Sequence, residues 1–219
     1  MDSGSINLGS NPSPAASSDH GTLAFMEMSK QYSIVCYLEG ALHDKVRAIQ
    51  GELFELTGSR KCLDAWTPHI TLGSGVIVPQ ERQREIEDAF AKIVEQQSMF
   101  DVVLIGFGGT TEWKGAREGV TTPYVLWVNP VMNEKLLELF NTIADKITSN
   151  YDTFYPRIVE YVPHVTVAYG DLSKEGYEKG DEYLKTIDFK DVIIVSHIAL
   201  VENFPDKDVE YKRFYFRNQ

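Results

Sequence analysis

One pattern runs through this chain twice: strand, helix, a strand carrying Pro-His-x-Thr, a second helix, a third strand. In the first pass, residues 33–38 (Ser-Ile-Val-Cys-Tyr-Leu) read as a buried strand. A helix follows with Leu42, Val46, Ile49, Leu53 and Leu56 on one stripe, and Gly58 suits its stop. Residues 67–72 form the motif strand. A second helix opens after Pro79 with Ile86, Phe90, Ile93 and Val94 inward, and residues 100–107 are the third strand. The second pass gives a strand over 123–128, a helix over 131–149 with Leu136, Leu139, Phe140, Ile143 and Ile147 inside, and a motif strand over 161–167. A helix over 173–187 follows, then one long strand over 189–201, and a last strand over 209–216 closes the chain. Two copies are too few for a solenoid, so the halves, about 31–108 and 123–217, must pack on each other as lobes related by a pseudo-twofold.

The matching points of the repeat are Pro68-His69-Ile70-Thr71 and Pro163-His164-Val165-Thr166. Residues two apart on a strand face the same way, so His69 projects with Thr71 and His164 with Thr166, while Ile70 and Val165 are buried behind them. If the lobes face each other, two imidazoles and two hydroxyls converge. An imidazole titrates near ~6.5, so one can act as base while the other, protonated, acts as acid. The threonines can donate to the non-bridging oxygens of a phosphate ester, where charge accumulates. A lone His-x-Thr carries little information; two, each after Pro and each at the same point of a repeat, point to catalysis.

No metal or other cofactor is expected, because neither motif is accompanied by HxH, HExxH or an Asp partner. The net charge of −11 excludes a protein that wraps long duplex nucleic acid but leaves room for a small anion in one cleft. Cys36 and Cys62 form no CxxC pair and sit among apolar residues, as buried free thiols do. Residues 1–28, rich in Ser, Gly, Asn and Pro, read as a flexible tail. With no signal-like or membrane-length apolar run, the expectation is a cytoplasmic protein with no membrane partner. Nothing in the sequence names a protein partner.

On these residues the chain resembles the two-histidine (2H) phosphoesterase superfamily, which includes the RNA 2′,3′-cyclic phosphodiesterases called 2′-5′ RNA ligases. The resemblance covers residues 31–217. It implies an α+β fold: two pseudo-symmetric lobes of mainly antiparallel sheet flanking a central cleft, with helices outside. It carries the family's histidines over to His69 and His164 and its hydroxyl residues to Thr71 and Thr166. It implies a nucleotide, short oligonucleotide or cyclic (oligo)nucleotide substrate: 2′,3′-cyclic phosphates, 2′-5′ oligoadenylates, ADP-ribose cyclic phosphate or cyclic oligonucleotide signals. Leu-Gly-Ser-Gly after Thr71 departs from the aromatic-rich segment that often stands there. A non-catalytic nucleotide-binding module using the same cleft is the alternative.

Three aromatics join the candidate site as substrate-binding residues. Tyr37 and Trp127 align when the two first strands are superposed and can stack on bases. Tyr169 shares the parity of Val165 and Val167, which favours packing, but Gly170 behind it can turn it toward ligand. The glycine-rich stretch 106–119 lacks the Walker pattern. It reads as a link between halves or, with Trp113, Lys114 and Arg117, as a flap over the cleft. Arg60, Lys61 and Arg157 precede the motifs and are weak candidates for balancing phosphate charge. His197, in a doubly apolar strand, reads as a buried structural histidine; His20 and His43 carry no role.

Overall fold

The computed structural model describes residues 29–113, 122–153, 161–204 and 207–217. The first half gives β1 (Ser29–Tyr37), α1 (Gly40–Thr57), α2 (Lys61–Ala65), β2 (His69–Pro79), α3 (Gln83–Glu95) and β3 (Phe100–Thr110). The second gives β4 (Val125–Pro130), α4 (Glu134–Ile143), β5 (Asp152–Thr153), β6 (Val165–Tyr169), α5 (Lys174–Leu184), β7 (Lys190–Val195), β8 (His197–Asn203) and β9 (Asp208–Tyr215). The tail 1–28, with His20, and the candidates Lys114, Arg117 and Arg157 lie outside the described residues.

The strands make two antiparallel sheets, ordered β5-β2-β1-β8-β9 and β6-β4-β3-β7. Each sheet is built around the first strand of one half, with that half's motif strand on one side and the third strand of the other half on the opposite side. β1 lies between β2 and β8; β4 lies between β6 and β3. The repeat is therefore realised with its third strands exchanged, so neither sheet belongs to one contiguous half.

The exchange corrects one expectation. The predicted single strand over 189–201 is two strands in two sheets. β7 pairs with β3, the chain crosses at Ser196, and β8 pairs with β1. A run of apolar residues is what any doubly covered strand shows, and its periodicity carries no mark of a change of sheet. At the crossing the Ser196 carbonyl accepts from the Phe216 N–H at 2.9 Å, so the connection keeps its backbone bonded.

The helices follow their apolar stripes with one departure. In α1, Val46, Ile49, Gln50 and Leu53 are buried, whereas Leu56 is exposed. A straight helix drifts ~20° per heptad from a 3.5-residue repeat, so the seam runs through Gln50 and Thr57 and leaves Leu56 off it. Gly58 ends the helix in the left-handed region at φ 75°, its N–H bonding the Phe54 carbonyl at 2.8 Å. α3 buries Ile86, Phe90, Ile93 and Val94. α4 buries Leu136, Leu139, Phe140 and Ile143, and a single π-helical turn over Ala144–Thr148 carries Ile147 inward. The Asn133 and Ser173 side chains cap α4 and α5 by accepting from the Leu136 and Gly176 N–H groups. Burial pushes the Cys36 thiol up to about 12 and raises that of Cys62, so both pack as small apolar groups.

His197 opens β8 and is wholly buried. Its Nε2 accepts from the Tyr37 N–H at 3.2 Å, so that nitrogen bears no proton, and Nδ1 meets Ser196 Oγ at 3.2 Å. Burial first, and then the Arg213 charge, holds its pKa below the usual histidine value. A histidine depressed in the fold stabilises above its unfolded value of ~6.5 and loses that contribution as the pH falls through it. The urea midpoint should therefore drop between pH 7.5 and pH 5.5. In His197→Gln, whose amide oxygen can still accept from Tyr37, the drop should be shallower. An identical drop in both proteins would show that His197 does not titrate on unfolding.

Candidate functional site

The two motif strands lie beside each other, β2 close to β6. Each histidine is held by the carbonyl two residues before it. His69 Nδ1 meets Thr67 O at 2.7 Å, and His164 Nδ1 meets Val162 O at 2.9 Å. A carbonyl only accepts, so both Nδ1 atoms carry hydrogen, and in a neutral ring the opposite nitrogen, Nε2, is the unprotonated one. Both motifs thus present the same nitrogen in the same tautomer. His164 titrates below the usual value, chiefly through burial and further through the charge of His69, while its bond to Val162 opposes the shift.

Ile70 and Val165 are fully buried behind the motifs, and Thr71 and Thr166 are half-buried on the histidine side. After each threonine the ladder slips by one residue. Val35 pairs with Thr71 but Ile34 with Gly73, leaving Leu72 extra. Trp127 pairs with Thr166 but Leu126 with Ala168, leaving Val167 extra. Both are β-bulges at the same point of the repeat. A side chain from the other half takes the threonine carbonyl at each: Tyr161 Oη donates to Thr71 O at 3.0 Å, and Gln50 Nε2 to Thr166 O at 3.2 Å.

The second bulge decides the place of Tyr169. Strict alternation puts it with Val165 and Val167, but the extra residue reverses parity after Val167. Ala168 is buried opposite Leu126, and Tyr169, opposite Val125, turns to the histidine side. Its ring stacks on Trp66 at 5.7 Å and meets Trp113 edge-on at 6.3 Å.

The register also corrects the pairing of Tyr37 with Trp127. Tyr37 stands opposite His69, whereas Trp127 stands opposite Thr166, so the counterpart of Trp127 in the first half is Val35. Both aromatics still reach the site. Tyr37 meets His69 edge-on at 6.1 Å and stacks on His197 at 6.2 Å. Trp127 lies 5.8 Å from His164, with its Nε1 bonded to Asn129 Oδ1 at 2.7 Å. Trp113, weighed as a flap residue, packs edge-on against His164 at 5.1 Å. Trp66 escaped the sequence reading; its only signal was its place three residues before His69.

Arg60 bonds Asp64 at 2.5 Å and covers the Phe54 ring, and His43 sits on α1 against Asp44. Asp171 instead ties the halves. Its carboxylate accepts from Ser59 Oγ, Arg60 N and Lys61 N at 2.7, 2.8 and 3.1 Å, seating α2 and hence Trp66 beside Tyr169. No cluster of three His, Cys, Asp or Glu with metal-binding geometry occurs among the described residues. Nor, among them, is any helix long and apolar enough to cross a membrane.

The model of the 2′-5′ RNA ligase superfamily matches residues 58–203. The chain belongs to that superfamily. Its fold agrees with solved structures at low sequence identity. TT0787 of Thermus thermophilus aligns with a TM-score of 0.64 and 16% identity, covering 86% of this chain and 99% of that one. E. coli LigT in apo form gives 0.58 and 14% identity over 87% of this chain and 99% of its own. E. coli LigT complexed with 3′-AMP gives 0.59 and 13% over the same shares. No curated protein matches in sequence. The first part of the glycine-rich stretch is strand, because β3 continues through Gly106, Gly108 and Gly109 to Thr110; residues 114–119 of that stretch lie outside the described residues.

Gly108 is there for the Trp127 indole. A Cβ on it would stand 2.8 Å from Trp127 Nε1 and 2.7 Å from Asn129 Oδ1. Gly108→Val should expel the indole, shift tryptophan emission to the red and cost ~1–3 kcal/mol, as overpacking does. Unchanged emission and Tm would mean that the ring does not depend on this glycine.

Proposed function

We propose that the chain is a metal-independent phosphodiesterase acting on a nucleotide-type phosphate ester: a 2′,3′-cyclic phosphate, a 2′-5′ linkage or a cyclic oligonucleotide. The observation that carries this reading is the matched pair of Nδ1–carbonyl bonds, which gives two motifs of one cleft the same reactive nitrogen. Membership of the 2′-5′ RNA ligase superfamily supports it. So do the solved complexes of E. coli LigT with 3′-AMP, ATP and phosphate, which make nucleotides the ligands to test first.

His164, depressed by burial, starts neutral and serves as the base; His69 serves as the acid. His164 Nε2 takes a proton from water as its oxygen attacks phosphorus. The P–O bond to the leaving oxygen breaks, and His69 Nε2 supplies the proton that this oxygen needs. Solvent then returns a proton to His69 and removes one from His164. Thr71 and Thr166 donate to the non-bridging oxygens, and Tyr37, Trp127 and Tyr169 hold the organic part of the substrate. The two imidazoles supply both proton transfers, so the step needs no metal.

Against 2′,3′-cyclic nucleotides, His69→Ala and His164→Ala should each lower kcat by ~10²–10⁴-fold with folding intact, and the double variant should lose little more. A near-normal His164→Ala enzyme would refute the pair. The profile of kcat/KM against pH should be bell-shaped, with its acid limb below ~6.5 because the base titrates low. Turnover should persist in excess chelator. An acid limb above 7, or inactivation by chelator reversed with zinc, would remove His164 as base or the metal-free step respectively.

A further inference from the structure

The carbonyls that orient the two histidines, Thr67 O and Val162 O, stand just ahead of the motif strands. The paired registers end at His69 and Val165, so the strand ladders stop short of both. Pro68 and Pro163 have no N–H with which to extend them. Val162 is 55% exposed. Two side-chain straps reach these approach segments instead, and each comes from the motif of the opposite half.

The first strap is Tyr161, the residue before Val162. Its hydroxyl donates to the Thr71 carbonyl of the first motif at 3.0 Å. Its ring is fixed by a parallel stack on Phe140, with centroids 3.9 Å apart. Burial holds its pKa above the usual tyrosine value, so the hydroxyl keeps its proton and remains a donor. The second strap runs the other way. Gln50 Nε2 donates to the Thr166 carbonyl of the second motif at 3.2 Å, and Gln50 Oε1 accepts from Arg47 Nη1 at 2.9 Å. The same guanidinium donates to the Cys62 and Leu63 carbonyls at 3.3 and 2.5 Å. Those carbonyls belong to α2, which runs through Trp66 into Thr67. Gln50 is 2% exposed, a polar side chain on the apolar stripe of α1, and both ends of its amide are bonded.

We infer that Tyr161 and the Gln50–Arg47 pair are reciprocal positioning residues: each fixes the threonine of one motif to the segment that orients the histidine of the other, so the two imidazoles are set as a pair. This rests on the phosphodiesterase reading for the reaction the pair serves. The straps act through the backbone and through His69 and His164, so their loss falls on kcat and leaves KM. A hydrogen bond weakens steeply as its angle opens. A ring that loses its bond from Nδ1 to a carbonyl populates both neutral tautomers, and its Nε2 then carries hydrogen part of the time and cannot accept a proton.

Two variants of the full chain each cut one strap with little change of volume. Tyr161→Phe keeps the stack on Phe140, and Gln50→Leu keeps the packing of α1. On 2′,3′-cyclic nucleotides each should lower kcat by ~10–100-fold with KM within twofold, as misplaced reacting groups do. Leu184→Ala, which opens a cavity under α5, is the stability control; it should lose more Tm yet keep kcat within threefold. Long-range ¹H–¹⁵N spectra of the imidazoles, taken without substrate at about pH 8, should show the Nδ1–H form of both rings in the unaltered chain. They should show mixed tautomers of His164 in Tyr161→Phe and of His69 in Gln50→Leu. Unmixed tautomers in both variants, or kcat losses no greater than that of Leu184→Ala, would overturn the positioning role. An unaltered chain that turns over neither these nucleotides nor 2′-5′-linked or cyclic oligonucleotides, with tautomers still mixed in the variants, would overturn the phosphodiesterase reading and leave the straps in place.

Discussion

The cleft hangs on two residues inserted into antiparallel ladders, Leu72 and Val167. A bulge disrupts the ladder locally and bends its strand. Here it does so just after the threonine of each motif. The threonine carbonyl at each bulge is bonded by a side chain from the other half, Tyr161 or Gln50. An unmet buried carbonyl costs ~1–3 kcal/mol, so these bonds hold the motif strands in register as well as beside each other. The bulge at Val167 also lets one short strand bury two successive residues and still send Tyr169 to the cleft.

The chain carries −11 overall, and two basic residues near the motifs are engaged with carboxylates: Arg60 with Asp64, Arg213 with Glu39 and Glu210. An imidazole adds positive charge there only when protonated. Trp113 and Trp127 pack against the His164 ring, and burial there lowers its pKa. Tyr37, backed by His197, lines the His69 side.

Much of this was legible in the sequence, because the fold follows a repeated hydrophobic pattern and the histidines fall at its matching points. The buried stripes of α3 and α4, the Gly58 stop and the buried Ile70 and Val165 follow from local periodicity. Local pattern could not give three features, each set by a distant partner. Ser196 changes sheet because β3 and β1 stand where they do. Tyr169 turns inward because β4 is one residue shorter than β6 across their pairing. Trp66 joins the cleft because Asp171, more than a hundred positions later, seats α2. The glycines of β3 look like a linker until the Trp127 indole is seen to occupy the space a side chain would need.

The exchange of third strands bears on descent. A single half, alone, has a first strand with one edge bare, and the strand that would cover it points away. Two copies of such a half, each lending its third strand to the other, would complete two sheets and place one His-x-Thr from each copy at the shared cleft. Duplication and fusion of the gene for such a half would then join the subunits of an intertwined homodimer whose reaction centre already lay on its symmetry axis. In such a fused chain the two histidines would be free to differ, as here, one beside tryptophans and the other beside tyrosine, which a symmetric dimer would not allow.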